Sequence, residues 1–167
     1  MKRLIAATAL ALVASSAHAA DWSYHEERDP IDDTLTSGAI LKTEDADLTV
    51  MCSEGRTLGV LFTAPKYLSS RDYGPLVYRF DDGVIHERRW FRTKRTALAS
   101  GEEALRFVTG LNGGRKVAIR AKSYDGTTVT REFDLTGDNS PVSRVLAACG
   151  RAPLEPRAAS TEPKERI

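Results

Sequence analysis

The chain is poor in the residues that usually carry chemistry. Its 167 residues include three histidines, two cysteines and two tryptophans, and no H-E-x-x-H, G-x-S-x-G or C-x-x-C pattern occurs. A zinc site needs three or four converging His, Cys or carboxylate ligands. With His18 lost in the leader described below, only His25 and His86 remain, so no metal and no other cofactor is expected. Missing too is a phosphate loop: "NGG" at Asn112 to Gly114 lacks the downstream Lys-Ser/Thr and precedes a strand, so it reads as a turn. A hydrolytic triad assembled from distant segments stays open, because spacing alone does not exclude it. The one local pairing, His86 with Asp81 or Asp82, falls on a turn exposed to water, where a general base works poorly. Long apolar runs are absent as well. The longest, Leu4 to Val13, is about ten residues, half of what a membrane-crossing helix requires.

What is present begins with that run. Met1-Lys2-Arg3, the apolar stretch and the small residues ending Ala17-His18-Ala19 have the three parts of a secretory signal peptide. Cleavage after Ala19 is expected, giving an exported, periplasmic protein without a membrane span. Of 24 basic residues, Lys2 and Arg3 leave with the leader, so the balance against 23 acidic ones is about even. Export and an even balance argue against a nucleic-acid partner. Cys52 and Cys149 both lie in the exported part, where thiols are normally oxidised, and are expected to form one disulfide.

Residues 20–150 read as a single β-rich domain. Leu48, Val50 and Cys52 alternate in "DLTVMCSE", and Leu58, Val60 and Phe62 in "GRTLGVLFTA". Asp82-Gly83 and Asp125-Gly126 sit between β-rich runs as hairpin signals. Lys66 to Pro75, "KYLSSRDYGP", has no period and predicts a surface loop. Two short helices punctuate the strands. One is capped by Ser100 with Glu103 in a capping box and buries Ala104, Phe107, Val108 and Leu111. The other has Ser140 as N-cap, Pro141 at its first position, Val142, Val145, Leu146 and Cys149 on one face, and Gly150 as a left-handed end. Residues 151–167 carry three prolines and few large apolar side chains, predicting a disordered tail. The fold class expected is mainly β: an antiparallel sandwich or curved sheet of about eight strands, two short helices and one disulfide.

The stretch from Val77 to Arg95 holds six basic residues. By alternation His86, Arg88, Trp90 and Arg92 share one face of a strand. Such a face could grip an anionic partner, since arginine neutralises and an aromatic stacks; arginine stems also shield a tryptophan on an edge strand. Candidate binding residues are these four together with Tyr67, Arg71 and Tyr73 from the loop. No catalytic residue is assigned. Glu102 and Glu103 are accounted for by the helix N-terminus, where negative charge is stabilised.

Trp22, "DPIDDT" at Asp29 to Thr34, Cys52, "VYRFDDG" at Val77 to Gly83 followed by Trp90, "FDLTG" at Phe133 to Gly137 and "AACG" at Ala147 to Gly150 occur in this order. Together they resemble the type VI secretion-associated TagO/VasI group of small periplasmic proteins. The resemblance implies an accessory of an envelope-spanning secretion machine and supplies no catalytic residue. The strongly basic stretch after Trp90 and the proline-containing tail depart from that pattern. The function expected is a non-enzymatic periplasmic binding protein for a protein or envelope component. A cell-wall-acting enzyme or a hydrolase inhibitor is the alternative.

Overall fold

The structure is a computed structural model that describes residues 21–156. The expected signal segment and residues 157–167 of the expected tail lie outside the described residues. Nine strands form one antiparallel sheet: β1 (Ser23–Arg28), β2 (Leu35–Lys42), β3 (Asp47–Ser53), β4 (Thr57–Thr63), β5 (Ser69–Phe80), β6 (His86–Lys94), β7 (Thr96–Ser100), β8 (Lys116–Lys122) and β9 (Thr128–Asp134). Helix α1 (Glu102–Leu111) joins β7 to β8, and α2 (Ser140–Ala148) follows β9. The spatial order is β1-β2-β3-β4-β7-β6-β5-β8-β9, and the sheet curls into a half-barrel. Of the two architectures expected, the curved sheet is the one observed.

One face is buried throughout. Ala39 and Leu41, Leu48 and Val50, Val60 and Phe62, Leu76 and Tyr78, Val117 and Ile119 point inward at the two-residue period. Helix α1 has to travel from β7, past β6 and β5, to reach β8, and this path carries it across that face. Phe107 marks the crossing: its ring centroid lies 5.5 Å from Trp90, 4.9 Å from Tyr78 and 5.2 Å from Phe80. Helix α2 covers the other half, packing on β1, β2 and β3.

Four expectations are revised. β7 was not foreseen, because its inward positions are Ala97 and Ala99, small residues with little strand signal. The expected loop at Lys66 to Pro75 is largely strand. Its alternation is broken by a bulge between Ser69 and Asp72, and Pro75 is tolerated because β5 pairs with β8 only from Leu76 onward. Ser100 does not cap α1; Gly101, at φ 60°, is the N-cap and no side chain caps the helix. Ser140 is likewise inside α2: Asn139 is the N-cap, and Asp138 accepts from the Ser140 amide at 2.9 Å.

The helix end behaves as read. Gly150 has φ 64°, which glycine adopts without steric cost. The Arg151 amide donates to Leu146 O and the Gly150 amide to Ala147 O, a Schellman closure. Beyond it the first part of the expected tail is ordered. Leu154 is buried in the core, Asn139 Nδ2 donates to Glu155 O at 3.0 Å, and the Glu155 amide donates to Asn112 Oδ1 at 3.0 Å. One buried leucine and two amide bonds hold what composition alone left free.

Cys52 of β3 and Cys149 at the end of α2 form a disulfide across 97 residues. A loop of about 100 residues corresponds to about 4.7 kcal/mol of lost unfolded-state entropy in the chain-entropy model. Replacing both cysteines by serine should therefore lower stability by about 2–5 kcal/mol in urea unfolding. Reductant should shift the native protein by a similar amount and leave the double variant unmoved.

Candidate functional site

The basic strand was the leading candidate surface, and β6 does place His86, Arg88, Trp90 and Arg92 on one face. That face is the concave one. Trp90 is 1% exposed beneath α1 and is a core residue, which corrects its assignment as a binding residue. The His86 ring stacks on Tyr78 at 4.9 Å. Arg88 Nε lies 3.5 Å from Glu103 Oε1 in the first turn of α1. Burial first, and then the Glu103 charge, raises the Tyr78 phenol above its ordinary value.

Arg92 is held most firmly. Its Nε donates to Asp72 Oδ1 at 3.0 Å and a terminal nitrogen donates to Asp72 Oδ2 at 2.9 Å, a bidentate pair. The other terminal nitrogen donates to Lys122 O at 3.2 Å, bridging to β8. Gly74 makes room for this arrangement, since a Cβ there would stand 2.0 Å from Arg92 Cζ. The Arg92 hydrogen bonds, followed by one from Ser69, hold the Asp72 carboxyl below its usual range. The cations of β6 thus join layers and strands instead of forming an open grip.

The remaining candidates lie at one end of the sheet and point outward. Tyr67 is 44% exposed and Tyr73 62% exposed, while Arg71 is exposed beside them. Tyr73 rests on the convex face, its ring 5.4 Å from Phe91. Tyr67 meets a residue that the sequence reading passed over: Tyr124, 77% exposed in the β8–β9 turn. Their rings are 5.9 Å apart and nearly perpendicular, and the Tyr124 amide donates to Tyr67 O at 3.0 Å.

The turn carrying Tyr124 is tied down by its neighbours. Asp125 Oδ1 accepts from the Thr127 amide at 2.9 Å, from the Thr127 hydroxyl at 2.7 Å and from the Ser123 hydroxyl. The Gly126 amide donates to Ser123 O, and the Ser123 amide to Thr127 O. Lys66 Nζ reaches across from the Tyr67 segment to Thr127 Oγ1 at 3.1 Å and to Asp125 Oδ2 at 3.5 Å. The Ser123 hydrogen bond, then those from Thr127, hold the Asp125 carboxyl well below the ordinary carboxylate range. Asp-Gly was legible as a turn; that a lysine from 59 residues earlier would fasten it was not.

Beside Tyr124 lies a depression of about 450 Å³ lined by Ser70, Asp72, Arg92, Lys122 and Ser123 among others. A larger one, about 560 Å³, sits near the other hairpin, between Asp81, Arg115, Lys116 and Glu132. There Asp81 Oδ1 accepts from the backbone amides of Arg115 and Lys116 at 2.9 and 3.0 Å, and Lys116 faces Glu132 at 3.5 Å. Asp81 therefore fastens its turn to β8, a role beyond the solvated turn residue expected of it. Among the described residues, no group of three or more His, Cys, Asp or Glu side chains is arranged to hold a metal, and no helix is long and apolar enough to cross a membrane.

Two outcomes follow from this geometry. Gly74→Ala should push Arg92 off Asp72, so the Asp72 carboxyl should titrate upward toward the ordinary carboxylate range in carboxyl NMR. Because the folded values of Asp72 and Asp125 are depressed, the stability they confer is complete above about pH 4 and is lost as pH falls through the lower folded values. Amide exchange at Tyr124 should thus stay slow through pH 4 and rise only in stronger acid. Asp125→Asn should abolish that dependence.

No family model matches the chain, and neither a curated protein nor a solved structure matches it.

Proposed function

We propose that this is an exported, non-enzymatic binding protein of the cell envelope, and that it contacts its partner through the Tyr67, Arg71, Tyr73 and Tyr124 end of the sheet. The observation that carries the reading is the ordered display of Tyr124. A side chain 77% exposed sits on a turn fixed by hydrogen bonds from Ser123, Thr127 and Lys66. Tyrosine gives a large amphipathic contact area at low conformational cost, because few rotors have to be frozen. A rigid turn lowers that cost further, since binding then orders little backbone.

Two further features support the reading. Arg88 and Arg92 are engaged by Glu103 and Asp72, so adhesion falls to the tyrosine end. The Cys52–Cys149 bridge accords with an oxidising compartment. The landmarks from Trp22 to Gly150 support the finer form of the proposal, a periplasmic accessory of a type VI secretion apparatus.

A photo-crosslinking residue placed at position 124, in cells that export the protein, tests the contact surface. A discrete adduct is expected there and none from the same probe at Glu27, which is exposed on the β1 edge. Tyr67→Ala together with Tyr73→Ala should reduce adduct yield severalfold while circular dichroism stays native. Equal yields from positions 124 and 27 would remove the assignment.

A further inference from the structure

We infer that the depression between Tyr124 and the Asp72–Arg92 pair is a saccharide subsite that takes a pyranose unit of an envelope glycan. This rests on the binding reading above and names the chemistry of its partner.

The depression, about 450 Å³ and open to solvent, has room for one pyranose unit. Its lining joins an aromatic wall to hydroxyl, carboxylate and ammonium groups. A pyranose has the complementary surface: one apolar C–H face that packs against an aromatic ring, and a rim of hydroxyls that both donate and accept. Tyr124 supplies the ring, and the near-perpendicular Tyr67 ring braces it.

The polar side of the site is fixed beforehand. Arg92 engages both Asp72 oxygens, and with Ser69 as a further donor the carboxylate keeps acceptor capacity for one sugar hydroxyl. The Asp72 side chain is about half exposed, whereas that of Arg92 is 12% exposed. Asp72 is therefore the contact and Arg92 the positioning residue. The bulge between Ser69 and Asp72 turns this part of β5 out of regular alternation; bulges commonly re-aim side chains near functional sites. Ser70 and Lys122 complete the rim as donors to ring, hydroxyl or acetamido oxygens.

The charges of the lining are largely matched. Asp72 neutralises Arg92 inside the depression, leaving Lys122 as the cation there without a carboxylate beside it in the lining. An anionic polymer would find a single uncompensated cation there, whereas sugar hydroxyls pair with Asp72, Ser70 and Lys122 alike. The larger depression near Asp81 offers no aromatic wall, and its Asp81 and Lys116 are already engaged.

Titration of the full exported chain with tetra-N-acetylglucosamine, with soluble peptidoglycan fragments and with maltotetraose, followed by NMR, tests the inference. At least one sugar should give saturable shifts at Tyr124, Asp72 and Ser70. Tyr124→Ala should weaken that binding tenfold or more, and Asp72→Asn severalfold. Glu27→Ala, on the exposed β1 edge, should leave it unchanged. Absence of saturable shifts from all three sugars at millimolar concentration overturns the subsite, as does binding unaffected by Tyr124→Ala. Should the position-124 crosslink to a protein persist in that case, the binding reading stands with a protein partner. Loss of both signals would remove both.

Discussion

The burial of the β5–β6 inner row beneath α1 is the constraint from which most of the remaining architecture follows. Phe107 sits against Tyr78, Phe80 and Trp90, so the helix that links β7 to β8 also closes the concave side of the half-barrel. Aromatic burial of this kind brings both area and preferred edge-to-face geometry. It also decides the fate of the charges carried on the same strand. Arg88 and Arg92 share a face with a core tryptophan, and each is matched by a carboxylate, Glu103 or Asp72, because leaving such a group unpaired near the interior would be costly.

The other half of the sheet is closed by different means. Helix α2 lies on β1 to β3 and is joined to β3 by the disulfide. The segment after it returns to the core through Leu154 and is held by Asn112 and Asn139. Two short helices thus cover a wide curved sheet, and the covalent joint falls where the shorter one ends. With both halves of the concave face filled, contact with a partner is left to the convex side and the strand ends.

At the Tyr124 end, rigidity comes from polar groups instead of apolar burial. Asp125, Ser123, Thr127 and Lys66 form a small network, and Asp72 with Arg92 forms another across β5, β6 and β8. Exposed ion pairs contribute little stability as a rule. Their effect here is positional: they hold aromatic and polar side chains at fixed places on a surface that water reaches.

Local pattern alone was sufficient for the β-rich class, the two helices with their buried faces, the Asp-Gly turns, the glycine end of α2 and the pairing of the two cysteines. The elements follow from period and turn chemistry within a few residues, and the pairing from there being only two cysteines. Tertiary structure decided the rest. Ala97 became strand because Phe62 and Arg92 pair with it from both sides, and Ala99 because Val60 pairs with it; Ser69 to Pro75 became strand through a bulge that hides its period. Trp90 and Arg88 turned inward because the helix that follows β7 crosses back over them. Tyr124 joined Tyr67 because two turns 57 residues apart meet at one end of the sheet. Alternation tells which side chains share a face; which face is covered depends on the path of the connections, and that path is set by packing across the whole chain.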